Sequence, residues 1–307
     1  METLQTHRVL QALIGHFTPF LESGITELII NTEQELWLYK INNTREKRGH
    51  ALFDKAFLLR FCEQLASFRG LFFDEEHPTL NCSIPFTRYR VSANHFSITT
   101  NNQITLNIRV PRLKPLSLDD FTFKASDPKS LKDLALKGHN ILISGETSSG
   151  KTSLLNALLD CVNKDERVVS VEDSQELDLK AFSNCVGLLV GKQENGCFNY
   201  EDALNMAMRL NPDRLIVGEI DTRNAALFLR LGNTGHKGML STIHANSAQN
   251  TLEALSLNLS MRYAHALDKD LMRAYFKSAI DVIVHVNRIN DERQIAEVLW
   301  TKELKCP

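Results

Sequence analysis

The sequence predicts an α/β protein with two domains, an N-terminal α+β sheet domain followed by a domain built on a mostly parallel sheet. Two observations support this class. The spacing of apolar residues changes after a proline-rich stretch. From residue 140 onward, apolar strand-like runs alternate with runs of helical spacing. Such alternation is typical of βαβ units, whose parallel sheet is covered on both faces. We expect the N-terminal domain over 1–112, a linker over 113–130 and the second domain over 131–307.

The elements of the first domain follow from spacing and residue type. Residues 6–17 and 52–68 carry apolar side chains at helical intervals. A polar stretch separates two strand-like runs, which indicates a hairpin over 25–30 and 36–41. Three further extended segments, rich in β-branched and aromatic residues, suit the same sheet: 82–86, 90–96 and 104–110.

In the second domain we expect five strands and three helices. The strands are predicted over 140–143, 168–171, 186–190, 215–217 and 239–243. The helices are predicted over 152–161, 200–210 and 225–231.

Composition indicates a globular chain without a strong overall field. Hydrophobic residues make up 43%, charged residues 23%, and the net charge is -2. This balance does not favour bulk attraction to nucleic acid or membranes. No apolar run approaches the length of a membrane span, and the N-terminus lacks the pattern of a secretory signal. The cysteines form no CxxC pair, so we expect reduced thiols and no zinc module.

The phosphate-loop pattern G-x-x-x-x-G-K-[ST] is matched by Gly145, Glu146, Thr147, Ser148, Ser149, Gly150, Lys151 and Thr152, and Ser153 follows. In such a loop the backbone N–H groups turn toward phosphate oxygens, and the N-terminus of the next helix adds a partial positive charge. Lys151 would neutralise the β- and γ-phosphates, and the Thr152 hydroxyl would ligate Mg²⁺. We therefore expect ATP or a close relative, with Mg²⁺, as the ligands.

Carboxylates follow two of the predicted strands, at the sheet edge where the phosphate loop also lies. Glu219 is expected to hold Mg²⁺ through a water. Either Glu176 or Glu172 would orient or deprotonate the attacking water. The alternative is that each acid is a solvent-exposed charge in a loop. Asp173 better suits a role in a turn or in capping.

Two histidines bracket the predicted strand 239–243. A neutral imidazole can donate one hydrogen bond and accept another, so His244 or His236 could couple the γ-phosphate to a moving segment. The alternative is a structural role. In the first domain, Arg90 and Arg109 are candidates for phosphate contacts, because guanidinium groups bind phosphate oxygens in pairs. Their alternative is surface ion pairing.

Together these motifs resemble the secretion-ATPase superfamily, which includes the hexameric VirB/Trb-type traffic ATPases of type IV secretion and the ATPases of type II secretion and type IV pili. Four motifs occur in the family's order. They are Walker A (145–152), the acidic box (171–176), Walker B (211–219) and the histidine box (235–238 with 241–245). The resemblance covers the second domain closely. It covers the first loosely, through 78–92 and 108–111.

The resemblance implies a RecA-like P-loop ATPase domain, a homo-hexameric ring, and nucleotide held between the two domains of one subunit. Glu176 matches the family's catalytic glutamate, Glu219 its Walker B glutamate, and His236 and His244 its histidine box. The implied partners are inner-membrane secretion-channel proteins, a coupling ATPase, and a secreted protein or DNA substrate. Direct sequence-specific binding of nucleic acid is not implied. The implied location is the cytoplasmic face of the inner membrane.

Three positions depart from the family pattern. Walker A usually has glycine where Ser148 stands. The family usually has arginine where Asp221 stands, and Arg223 is a candidate to compensate. A glycine common before the position of Arg90 is missing, so Arg109 is the firmer assignment of the two arginines.

The sequence thus predicts an ATP-hydrolysing ring motor subunit of type IV secretion. The alternatives are an ATPase of type IV pili or type II secretion, a nucleic-acid translocase, and a nucleotide-binding assembly module without turnover. DNA-stimulated hydrolysis with a strong salt dependence would favour the translocase. Ring formation with ATP but without phosphate release would favour the module.

Overall fold

The computed structural model describes residues 7–21, 24–42, 44–111, 115–190, 198–263, 268–290 and 292–303. Contacts divide the chain into two compact units. The first comprises Met1–Lys114, Asp173–Gln175 and Gly191–Asn199, and the second comprises Pro115–Glu172, Glu176–Val190 and Tyr200–Pro307. In the described part of the chain, no helix is long and apolar enough to cross a lipid bilayer.

The first unit combines helices with an antiparallel sheet. Its helices are α1 (Arg8–Phe17) and α2 (Lys55–Phe68), and its strands are β1 (Ile25–Thr32), β2 (Glu35–Lys40), β3 (Arg45–Gly49), β4 (Thr79–Ser83), β5 (Arg90–Asn94) and β6 (Thr105–Arg109). The strand order is β3-β2-β1-β6-β5-β4, and each neighbouring pair is antiparallel.

Alternating apolar residues give this sheet one buried face. Leu28 and Ile30 in β1 and Leu38 in β2 are buried, whereas the residues between them are more exposed. Aromatic packing joins the helices to the same core, since the ring centroid of Phe17 on α1 lies 4.7 Å from that of Phe61 on α2. The predicted hairpin and helices are present. Strand β3 was missed because it lies at the sheet edge and consists of charged residues followed by a glycine.

The second unit contains the larger sheet. Its strands are β7 (Thr122–Phe123), β8 (Ile141–Gly145), β9 (Val168–Glu172), β10 (Cys185–Leu189), β11 (Arg214–Ile220), β12 (Leu240–His244), β13 (Val282–Ile289) and β14 (Glu292–Trp300). Its helices are α3 (Pro128–Leu136), α4 (Lys151–Asp160), α5 (Tyr200–Arg209), α6 (Ala225–Asn233), α7 (Thr251–Tyr263) and α8 (Lys269–Ala279). The strand order is β10-β9-β11-β12-β8-β13-β14-β7.

The six strands from β10 to β13 run parallel, and β14 returns antiparallel to β13. Strands β8 and β9 are buried at every position, as expected for a parallel sheet covered on both faces. The predicted α/β class is confirmed. The predicted elements end at residue 243, and the structure adds α7, α8 and the β13–β14 hairpin after them.

The proline-rich segment predicted as a linker contributes to the second unit. Leu118 and Phe121 are buried in its core, and β7 pairs with β14. Prolines punctuate this segment, but its apolar side chains pack against the unit that follows. By contacts the second unit begins at Pro115, earlier than the predicted boundary at 131. Residues 112–114 lie outside the described ranges.

Candidate active site

The phosphate-loop residues join the carboxyl end of β8 to the start of α4. Gly150 is the N-cap of α4 and has a φ of 110°, a left-handed conformation that favours glycine. Gly145 ends β8, and a Cβ atom there would lie 2.4 Å from the carbonyl oxygen of Val286. The predicted strand–loop–helix context is therefore present, with both glycines where a side chain would be strained or would clash.

The end of β8 is also fixed by a buried polar pair. Ser144 Oγ lies 2.9 Å from Nδ1 of His285 on the neighbouring strand β13. Burial lowers the pKa of His285, so the neutral imidazole is favoured at neutral pH. This hydrogen bond holds the residue directly before the phosphate loop.

Ser148 has a left-handed backbone, with a φ of 61°. An L-residue in this region pays about 1–2 kcal/mol that glycine does not. This backbone explains why glycine suits the position, and it shows that the serine adopts the loop conformation despite the cost.

Replacing Ser148 by glycine should keep nucleotide affinity and raise the free energy of unfolding by about 0.5 kcal/mol, because the relief of strain is partly offset by the added freedom of the unfolded chain. Ser148→Val should weaken both properties, since a β-branched side chain resists positive φ. Thermal unfolding and ATP titration measure the two effects. Lower stability in Ser148→Gly would show that the hydroxyl contributes more than the strain costs.

Lys151 is buried at the first position of α4. Its Nζ donates to the carbonyl oxygens of Gly145 at 3.1 Å and Glu146 at 2.8 Å. The third contact of Nζ is with Nδ1 of His244, at 3.2 Å. These acceptors suit an ammonium group, which has three N–H donors and no acceptor. The lysine is therefore held at the loop in a defined position.

His244 connects Lys151 to the carboxylate of Glu219. Since the ammonium of Lys151 can only donate, Nδ1 of His244 accepts. The proton is then on Nε2, which lies 2.9 Å from Oε1 of Glu219 and donates to it. In register, His244 lies beside Gly145 of β8. The structure thus brings three of the predicted site residues, Lys151, His244 and Glu219, into one hydrogen-bonded chain.

The two candidate glutamates of the acidic box have different surroundings. Glu172 ends β9 and is only 5% exposed. Its Oε2 accepts from the backbone N–H groups of Glu176 at 2.8 Å and Leu177 at 2.9 Å. The Glu172 carboxylate therefore fixes the backbone at Glu176. Glu176 is half-buried and follows the turn that Glu172 stabilises.

Asn156 holds the same segment from the other side, and sequence reasoning missed it. It lies on α4, one turn after Thr152. Its Nδ2 donates to the carbonyl of Glu176 at 3.2 Å, and its Oδ1 accepts from the N–H of Asp178 at 2.8 Å. The phosphate-loop helix is thus joined directly to the acidic box. The only sequence signal was an asparagine within a helix of apolar residues.

Asn156→Ala should lower the turnover number for ATP by about tenfold or more and leave KM within about threefold, because the backbone at Glu176 loses an anchor while the phosphate loop keeps its contacts. Steady-state phosphate release, divided by the number of sites that bind nucleotide, measures the turnover number. A purely structural role would instead lower the number of competent sites and leave turnover per site unchanged.

His236 lies apart from the phosphate loop within its unit. Its carbonyl accepts from Nδ2 of Asn140, the residue before β8, at 3.2 Å. This contact is at the amino ends of β8 and β12, whereas His244 is at the carboxyl end of β12. The histidines that bracket β12 therefore face opposite edges of the sheet, and only His244 meets the phosphate loop.

Arg90 and Arg109 are directly opposite each other on β5 and β6. Directly opposed residues of an antiparallel pair share one face, and like charges there repel unless an opposite charge lies nearby. On its other side, Arg109 lies opposite Glu27 of β1, whose charge is of the opposite sign. The role of the two arginines in binding phosphate stays a prediction.

Comparison with known proteins then decides the family. The model for type II/IV secretion system proteins matches residues 77–293, more than half of the chain. This chain belongs to the type II/IV secretion system protein family. The predicted resemblance is thereby confirmed. Because the match begins at residue 77, it leaves out most of the first unit.

Individual relatives agree with this assignment. The conjugal transfer protein TrbB of Rhizobium radiobacter is 31% identical over 233 residues, which are 74% of this chain and 68% of TrbB. The type IV secretion system protein VirB11 of Bartonella henselae is 24% identical over 320 residues, covering 91% of this chain and 89% of VirB11. A crystal structure of the pilus retraction motor PilT with bound ADP has a TM-score of 0.68 at 18% identity, covering 94% and 82% of the two chains, and shows the shared fold.

Against the family pattern, the departure at Asp221 has a local explanation. The Asp221 carboxylate accepts from Nε of Arg223 at 2.8 Å and from its backbone N–H at 2.7 Å. The guanidinium also lies over the ring of Tyr200, 4.9 Å from its centroid. Asp221 and Arg223 thus form a turn that leads into α6, and compensation by Arg223 stays a prediction.

The site offers oxygen donors that suit the Mg²⁺ typical of secretion ATPases. Within the described ranges, no group of three or more His, Cys, Asp or Glu side chains could enclose a metal ion. Magnesium does not require such a cage, because it keeps several waters and binds one or two protein oxygens together with substrate phosphates. The hydroxyl of Thr152 and the carboxylate of Glu219 are donors of this hard type, so the residues fit the ion.

Proposed function

We propose that this chain is an ATP-hydrolysing ring motor subunit of a type IV secretion system. The observation that carries the proposal is the hydrogen-bonded chain from Lys151 through His244 to Glu219 at the phosphate loop. It links the group that binds phosphate to the carboxylate expected near the metal. A plain structural glycine turn has no need of such a chain.

The contacts of Lys151 suggest how phosphate binding is sensed. Its Nζ donates to the carbonyl oxygens of Gly145 and Glu146 and to Nδ1 of His244. A γ-phosphate that takes a hydrogen bond from Nζ would compete with these acceptors. Release of Nδ1 of His244 would alter its hydrogen bond to Glu219 in turn. His244 is thus suited to report the presence of the terminal phosphate, and its loss after hydrolysis.

Hydrolysis needs a positioned water as well as bound phosphate. Glu172 is buried and bonded to two backbone N–H groups, so we assign it to holding the acidic box. Glu176 is then the residue that orients the attacking water. Thr152 and Glu219 would hold Mg²⁺, which neutralises charge on the phosphates. Loop amides and Lys151 bind the phosphates and exclude water from them.

Family membership and the names of the relatives support the biological setting. TrbB and VirB11 are named for conjugal transfer and type IV secretion. We propose a homo-hexamer at the cytoplasmic face of the inner membrane, bound through partner proteins of the secretion channel and a coupling ATPase. The transported substrate would be protein or DNA.

Native mass spectrometry with a non-hydrolysable ATP analogue, paired with phosphate release in the presence and absence of duplex DNA, tests this proposal. We expect a hexamer and hydrolysis that DNA does not change. Strong stimulation by DNA that falls steeply with salt would favour a nucleic-acid translocase. A monomer at every concentration would contradict the ring.

A further inference from the structure

The phosphate loop rests at both ends on the β13–β14 hairpin. Strand β13 pairs with β8 only as far as His285 opposite Ser144, so its remaining residues extend beyond the end of β8. Val286 lies against Gly145 at the start of the loop. At the other end of the loop, Arg293 of β14 lies against Gly150.

Arg293 packs against Gly150. A Cβ atom on Gly150 would lie 2.6 Å from Cδ of Arg293 and 2.8 Å from its Nε. The Nε atom is buried, and the residue as a whole is half-buried. Its cross-strand neighbour in register, Arg288, is exposed. The guanidinium of Arg293 is one bond beyond Nε, next to the N-terminus of α4.

The strand order indicates which part of a nucleotide this arginine faces. His244 on β12 and Glu219 on β11 lie on one side of β8, and the β13–β14 hairpin lies on the other. The terminal phosphate belongs with Lys151, His244 and Glu219. The three phosphates then run across the loop, and the α-phosphate lies on the side of the β13–β14 hairpin.

We propose that Arg293 binds the α-phosphate of the nucleotide, a contact that deepens the proposed function and rests on it. The stem of Arg293 packs on Gly150, where a Cβ atom would lie 2.6 Å from its Cδ. The guanidinium adds a fixed positive charge at the inner end of the phosphate chain, and such forks bind phosphate oxygens well. Arg293 therefore contacts any ligand that fills the α-phosphate position, and an anion that fills only the terminal phosphate positions would not reach it.

Calorimetric titration of the full-length chain with ADP and with inorganic tripolyphosphate tests this contact. Arg293→Met keeps a long stem against Gly150 and removes the charge, whereas Arg293→Lys keeps the charge. Arg288→Met is the matched control on the same hairpin. We expect Arg293→Met to weaken both ligands about tenfold, Arg293→Lys to weaken them less because it keeps the charge and loses the fork, and Arg288→Met to match the wild type.

Two results would overturn the proposal. Unchanged affinity in Arg293→Met would show that the side chain only packs on the loop. Weaker ADP binding with unchanged tripolyphosphate binding would place the contact at the ribose or base. If Arg293→Met does not fold, Arg293→Gln is the second neutral variant. Failure of the wild type to bind either ligand would instead contradict the proposed function, so the two failures are distinguishable.

Discussion

Lys151→Ala should abolish ATP turnover and weaken ATP binding at least about a hundredfold. Its ammonium is the one positive group that the structure places inside the phosphate loop with hydrogen bonds to the loop carbonyls and to His244. Without it, the β- and γ-phosphates lose a positive charge held inside the loop, in a partly buried setting where charge matters most. Phosphate release and equilibrium ATP titration measure the two losses.

Lys302→Ala is the control for this variant, since Lys302 is exposed in the last described turn of the chain. It should behave as the wild type in both assays. Thermal unfolding should separate binding from stability, because Lys151→Ala also removes a buried charge and its carbonyl contacts. Turnover in Lys151→Ala close to that of the wild type would show that hydrolysis occurs elsewhere.

Glu176→Gln should lower turnover by about a hundredfold or more while ATP binding persists, so ATP remains bound and unhydrolysed. A glutamine has the same shape but cannot accept a proton from the attacking water.

Glu172→Gln should act differently from Glu176→Gln. Its carboxylate accepts two backbone N–H groups, and the amide would keep those bonds only as a neutral acceptor. We therefore expect lower stability together with a smaller loss of turnover.

The comparison between these two variants carries the test. Each is a matched control for the other, because both change one acid of the same box to its amide. Phosphate release per bound ATP and the midpoint of thermal unfolding are the readouts. If Glu172→Gln traps ATP and Glu176→Gln hydrolyses it normally, the assignment of the two glutamates must be exchanged.

The sequence allowed the phosphate loop to be recognised, because its chemistry is local. A turn of fixed spacing between an apolar run and a helical run is enough to predict where Lys151 lies. The order of the remaining motifs along the chain then predicted which strands would carry Glu219 and His244. The parallel sheet brings these strands to one edge, and alternation of strands and helices predicted that sheet.

Residues whose role depends on tertiary contacts could not be predicted in the same way. Glu172 and Glu176 are both acids after one strand, and only the hydrogen bonds of the folded backbone separate them. Asn156 has no motif of its own. His236 and His244 are close in sequence and belong to one box, but a five-residue strand places them at opposite edges of the sheet.

The β13–β14 hairpin was missed for a related reason. Its first strand is an apolar run that local pattern alone does not connect to the phosphate loop. Its importance comes from the position of β13 beside β8, a contact between residues more than a hundred positions apart. Arg293 therefore looks like any exposed arginine in the sequence, although the fold places it against Gly150.

The most direct test of the account is phosphate release measured on the same wild-type sample whose bound ATP and ADP are counted, at saturating ATP with Mg²⁺. We expect many turnovers per subunit and a mixture of bound ATP and ADP, since the hydrogen-bonded residues Lys151, His244 and Glu219 form part of the proposed hydrolytic site. Stoichiometric ATP that stays intact over hours in every assembly state would contradict this, and would identify the chain as a nucleotide-binding assembly module instead.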